Sequence, residues 1–127
     1  MEVTRTPRTP LRELGLWAPP VVLMGVIFFL SAQPDLSSGL GAWDLILRKA
    51  AHMTEYGLLV LLWWRALRER VPARLAVGLG VAIAIAYSGT DEYHQTFIHG
   101  RHGTPVDVAI DSVGMAAVAL LLLRRER

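Results

Sequence analysis

The sequence predicts an all-α membrane protein: four transmembrane helices in a bundle, with both termini on the cytoplasmic side. Three observations predict it. Apolar residues make up 53% of the 127-residue chain and its mean hydropathy is +0.38, more than one small soluble core with a polar coat requires. The apolar residues are gathered into four blocks. The basic residues stand in short groups at the ends of those blocks.

The first block, about 14–32, reads LGLWAPPVVLMGVIFFLSA and holds 19 residues without a charge. A spanning helix needs about 20. Pro19 and Pro20 fall in its first turns, where missing amide donors cost least. A cleaved secretory signal is the competing reading. The apolar run is long for a signal core, however, and no A-x-A precedes the polar loop, so a retained helix is expected. The second block, about 47–67, is strongly apolar from Leu58 to Trp64, but its first half carries Lys49, His52 and Glu55. The third, about 75–88, is rich in Ala and Gly. Gly78, Ala82 and Ala86 recur every four residues, a stripe that would let a neighbouring helix, or a second copy of the chain, approach closely. The fourth, about 106–123, carries Asp107 and Asp111 near its start. The connections between blocks are rich in Gly, Pro, Ser and charge, and the whole chain reads as a single domain, residues 1–127.

The charges orient the bundle. Ten of the thirteen basic residues (Arg5, Arg8, Arg12, Arg65, Arg68, Arg70, Arg74, Arg124, Arg125 and Arg127) fall on the side of the termini; only Arg48, Lys49 and Arg101 fall on the other. The positive-inside rule then puts the termini and the second connection in the cytoplasm. The expected location is a bacterial cytoplasmic (inner) membrane. Acids and histidines show the opposite bias. Asp35, Asp44, Glu55, Asp91, Glu92, Asp107, Asp111 and all four histidines (His52, His94, His99, His102) lie on or near the outer side.

Composition also excludes classes. The chain has no cysteine, so it has no disulfide and no thiolate metal site. The basic residues mark membrane boundaries rather than a nucleic-acid surface. No G-x-S-x-G, P-loop or cysteine nucleophile is present, and Ser88 and Ser112 have no base at a fixed spacing, so covalent catalysis is not supported.

Three stretches remain that could carry chemistry. In RKAAHMTEY, Lys49, His52 and Glu55 are three apart and share one broad helix face. Ionisable groups within a span are costly unless paired or wet. They face the bundle interior, either as a salt-bridge ladder that fixes packing or as a site, with His52 and Glu55 as an acid/base or ligand pair. In TDEYHQTFIHGRHG, Asp91, His94 and Gln95 share a side if the start is helical, and Arg101 presents a planar fork suited to carboxylate or phosphate. In DVAIDSVG, Asp107 and Asp111 stack about 6 Å apart along a helix and repel unless a cation lies between them. That cation could be Arg101, Lys49 or a divalent metal held by Asp107, Asp111 and His94, since such N and O donors suit Zn, Mn or Mg. No standard metal spacing is present: HMTE is H-x-x-E, not H-E-x-x-H.

These same residues carry a resemblance. The order RK-x-x-H-x-x-EY-x-x-L, DE-x-HQ-x-F-x-x-GR, D-x-x-x-D-x-x-G resembles the VanZ-like family of bacterial membrane proteins, from Phe28 through the last helix. Two positions depart from its pattern. His99 stands where proline is common, and His102 where a small hydroxyl residue is common; both bear on the shape of the outer loop. The resemblance implies a four-helix membrane bundle, and the family is named for a protein conferring low-level resistance to teicoplanin. Carried onto this chain, its motif positions are Lys49, His52, Glu55, Tyr56, Asp91, Glu92, Gln95, Arg101, Asp107 and Asp111.

Together these readings predict an outward-facing polar pocket that binds or modifies an anionic, lipid-linked envelope compound or a lipoglycopeptide. His52, Glu55 and Asp91 are the acid/base candidates. Lys49, Tyr56, Glu92, Gln95 and Arg101 are the substrate-binding candidates. The alternative is a non-catalytic membrane accessory protein whose charges form a structural salt-bridge network. A proton-linked carrier would need polar residues continuing to the cytoplasmic side, and the inner halves of the blocks have almost none. The sequence leaves open whether the protein is an enzyme.

Overall fold

A computed structural model describes residues 7, 9–31, 42–95, 97 and 105–125. All regular structure among them is helical: α1 (Pro10–Ser31), α2 (Ala42–Leu67), α3 (Ala73–Gln95) and α4 (Pro105–Arg125). At about 1.5 Å per residue, each helix is about 30 Å long or more, the thickness of a bilayer's hydrocarbon core. Two of them, over Pro10–Leu30 and Ala73–His94, are both long and apolar enough to cross a membrane. Helices α2 and α4 have the length but begin with polar turns.

Local chemistry explains where α1 starts. Thr9 caps it: its Oγ1 accepts the Arg12 amide at 3.2 Å and its carbonyl accepts the Glu13 amide at 3.0 Å. Pro10 then occupies the first helical position, where a missing N–H costs nothing. The helix therefore begins a turn before the apolar run, and Pro19 and Pro20 lie inside it rather than in its first turns. The expected starting position failed because the cap is polar and lies outside the hydropathy signal.

The other large difference is in α3, which runs on to Gln95, about two turns past the expected end. Ser88-Gly89-Thr90 has the composition of a loop. In the structure it stays helical: Thr90 Oγ1 turns back onto the Ala86 carbonyl at 3.0 Å, and Ser88 and Asp91 are buried against the neighbouring helices. Tertiary packing overrides the local propensity.

Helix α2 is the centre of the bundle. It packs along α1, α3 and α4; α3 also packs on α4, and α1 lies mainly on α2. The core joins Ile27, Tyr56, Leu59, Val60, Trp64, Ala76, Val77, Ala84, Met115 and Leu122. Glycines set the helix spacing. A Cβ on Gly114 would run into the Met53 backbone, with the Met53 carbonyl carbon only 2.8 Å away. A Cβ on Gly57 would stand 3.1 Å from the Gly114 carbonyl oxygen, and one on Gly80 3.1 Å from the Val60 oxygen. The close approaches are thus α2 to α4 and α2 to α3. The Gly78, Ala82 and Ala86 stripe does not make them. Gly78 has open space beside it and all three positions are exposed, because Gly80, two residues on, turns the opposite face of α3 to the bundle.

Large apolar side chains point outward along α1 (Val21, Val22, Val26, Phe28, Phe29), α2 (Leu58, Leu61), α3 (Leu75, Leu79, Ile85) and α4 (Leu120, Leu121). A soluble monomer rarely shows so much contiguous apolar surface. A lipid-facing bundle does.

Candidate functional site

The polar residues of α2, α3 and α4 meet in the interior at the end of α3 and the start of α4. Asp91, Glu92, Asp111 and Ser88 are buried there. Such groups are tolerated in an apolar interior only when hydrogen-bonded or paired, and each of three helices contributes. Tyr56 of α2, fully buried, donates its phenolic hydroxyl to Asp91 Oδ2 of α3 at 3.2 Å. Ser88 Oγ of α3 donates to Asp111 Oδ2 of α4 at 2.9 Å. His52 Nδ1 of α2 lies 3.6 Å from the other oxygen of Asp111, an ion pair when the imidazole is protonated. The His52 ring stacks nearly parallel over Tyr56, centroids 6.4 Å apart. Lys49 acts electrostatically on Asp111, and Glu55, half-buried, lies within reach of the charges on Asp91 and Asp111.

Helical spacing explains why these residues converge. His52 and Tyr56 are four apart on α2, and Ser88 and Asp91 three apart on α3, so each pair lies on one face. That face of α2 meets Asp91 through Tyr56 and Asp111 through His52. Just below, Gly57 and Gly114 bring α2 and α4 close enough for the contact.

The structure brings some of the expected site residues together and not others. Lys49, His52, Glu55, Tyr56, Asp91 and Asp111 are gathered into one cluster. Glu92 is buried beside it. His94 packs its ring on Phe28 of α1, centroids 4.5 Å apart, and its buried Nδ1 has no hydrogen-bond partner among the described residues. The side chains of Gln95 and Asp107 lie outside the described residues, as do Arg101, His99 and His102. Among the described residues no group of three or more His, Asp or Glu side chains gathers as a metal site.

Two polar contributors were not anticipated. Ser88, at the expected end of the third block, is fully buried and holds Asp111. Its signal is its spacing: Ser88, Asp91 and Glu92 fall at i, i+3 and i+4. Tyr87 donates its hydroxyl to the Met24 carbonyl of α1, and its ring lies 6.5 Å from that of Tyr56. The site is thereby tied to the helix that contributes least to the core.

A helical bundle with an apolar exterior and a buried cluster of carboxylates, tyrosine, serine and histidine at one end defines a small membrane protein with a polar interior site. The chain matches the model of the VanZ/LLP1 family over residues 16–125 and belongs to that family, which is generally linked to resistance. The match runs from within α1 to the end of α4 and covers every residue of the cluster. No curated protein and no solved structure matches the chain.

Proposed function

We propose that the protein is a four-span bundle of the bacterial cytoplasmic membrane, with both termini in the cytoplasm. Its buried cluster forms a polar pocket on the opposite side that binds or modifies an anionic envelope compound or lipid-linked precursor. In the members that confer it, glycopeptide resistance of the teicoplanin type follows from this action. The observation that carries the reading is the burial of Asp91 and Asp111, each held by a hydroxyl from another helix. Buried carboxylates inside a membrane bundle are costly, and where they are kept they mark a site or a specific packing. Lys49 and Arg101 would neutralise the anionic ligand. His52 and Glu55 would move a proton or orient the ligand, and Asp111 would hold His52 in place. Asp107, Asp111 and His94 would hold a divalent ion if one takes part.

The test is teicoplanin susceptibility in a sensitive host expressing the protein, with membrane insertion checked by reporter fusions at both termini. Asp111→Asn and Arg101→Ala should each abolish any protection given by the wild type. If both variants insert normally and protect as well as the wild type, the pocket is not the working site.

A second reading is supported by the same geometry. His52, Asp111 and Ser88 link three helices, as a purely structural network would. Under that reading single removals lower stability, and paired replacements that restore the hydrogen bonds restore function without any anionic ligand.

A further inference from the structure

The opposite end of the bundle carries a feature that the polar pocket does not use. Where the start of α1 meets the end of α2 and the turn after it, Arg12, Gly15, Leu16, Arg65, Arg68 and Glu69 line an open cleft of about 370 Å³. Three guanidinium groups face one carboxylate in it. Arg12 pairs with Glu69 at 2.5 Å, and Arg65 donates to the Gly15 carbonyl at 2.8 Å. Arg68 has no carboxylate partner among the described residues; its guanidinium lies 4.6 Å over the ring of Trp64.

A second layer holds the cleft in shape. Arg70 pairs with Glu13, which also accepts the Trp17 indole N–H at 2.9 Å, and Trp17 meets Trp63 edge to face. Trp17, Trp63 and Trp64 therefore gather beside the arginines. Trp64 is almost fully buried, and its indole N–H has no hydrogen-bond partner among the described residues. Tryptophan with arginine is the composition of a membrane interface at headgroup depth, and guanidinium forks suit phosphate oxygens.

We infer that this cleft is a binding site for the phosphodiester headgroup of an anionic phospholipid, with Arg68 and Arg65 as its phosphate ligands and Arg12 completing the wall. The inference rests on reading the chain as a bundle set in a membrane, with this end at the headgroups. It is independent of what the polar pocket at the other end does. Surface charge alone would draw anionic lipid to every arginine at this end. The cleft instead makes Arg68 unequal to Arg74, which is exposed on α3, carries the same charge and does not line the cleft.

The full chain in zwitterionic detergent micelles is titrated with short-chain phosphatidylglycerol, binding being read from intrinsic tryptophan fluorescence. Parallel titrations use phosphatidylcholine of the same chain length and inorganic phosphate. Saturable binding of the anionic lipid alone is expected. Arg68→Gln should weaken it about tenfold, as for the loss of one charge-assisted hydrogen bond. Arg74→Gln should change it less than about twofold. Should Arg68→Gln not fold, Arg68→Lys keeps the charge while losing the fork, and is expected to bind about threefold more weakly. Equal effects at Arg68 and Arg74 would mean diffuse attraction and overturn the inference. Binding of inorganic phosphate as strong as that of the lipid would also overturn it, since the site would then take a soluble anion. Flotation with preformed vesicles separates the two readings: a chain that does not float overturns the membrane reading and this inference together, while a chain that floats without preferring anionic lipid overturns this inference alone.

Discussion

Arg65 Nη1 donates to the carbonyl of Gly15 at 2.8 Å, and that carbonyl is the one Pro19, four residues on, cannot satisfy. In a regular helix the amide of residue 19 would bond to it. Proline has no N–H, so α1 carries an orphan acceptor near its start, and α2 supplies the missing donor. A break in one helix thus becomes a tie between two.

The tie predicts a specific coupling. Arg65→Ala should lower stability by about 1 kcal/mol, at the low end for a charged hydrogen bond because the side chain is exposed. Pro19→Ala returns a backbone amide to the Gly15 carbonyl. In that background Arg65→Ala should cost clearly less. Thermal unfolding of the four proteins in one detergent gives the cycle, and strict additivity would show that the arginine does not serve the proline's acceptor.

What could be read from the sequence divides along physical lines. Long-range averages were legible: helix number, the apolar exterior and the gathering of titratable groups at one end all follow from block hydropathy and from spacing by three and four. Contacts that depend on helix rotation were not. Gly78 and Gly80 are two residues apart on the same apolar run, and nothing local says which faces α2. Ser88 stands at the expected end of the third block with Gly89 and Thr90 after it, and only Asp111, 23 residues later, gives its hydroxyl a buried partner. The prolines were misplaced for a similar reason, since the cap at Thr9 lies outside the apolar block.

The helix spacing predicts opposite outcomes for two alanine substitutions of the same kind. Gly114→Ala places a methyl against the Met53 backbone, which cannot yield without moving α2 from α4. Overpacking of this sort costs about 1–3 kcal/mol or more. Gly78→Ala meets open space and removes a poor helix former, so it should be neutral or stabilising by up to about 1 kcal/mol. Melting temperatures in detergent decide it. A harmless Gly114→Ala would mean that α2 and α4 do not cross at Met53.

The cluster holds two separate hydroxyl-to-carboxylate bonds, and this separation is measurable. Tyr56→Phe removes the donor to Asp91 Oδ2 and keeps the ring. Ser88→Ala removes the donor to Asp111 Oδ2. Each leaves a buried carboxylate short of one partner, a cost of about 1–3 kcal/mol. Because the two bonds go to different carboxylates, the double variant should lose close to the sum of the single effects. A coupling above about 0.5 kcal/mol would mean that Asp91 and Asp111 act as one unit.

His52 distinguishes a working pocket from a packing device. It lies 3.6 Å from Asp111 Oδ1 and is only partly buried, its side chain 17% exposed against 2% for Asp111. It is therefore the member of the pair that a ligand can reach, while Asp111 stands behind it. His52→Gln keeps a polar group of similar reach but can neither carry a proton nor become cationic. If the cluster is structural, His52→Gln should be nearly silent in resistance and cost about 1 kcal/mol or less in stability, as for a partly exposed ion pair. If the pocket works on a ligand through His52, any protection given by the wild type should fall at least tenfold while the melting temperature stays within a few degrees of wild type. Measured on the same membrane preparations, activity and stability then move apart in one case and together in the other. Asp111→Asn, which disturbs the Ser88 bond as well, lowers both in either case and serves as the reference for a fully disrupted cluster.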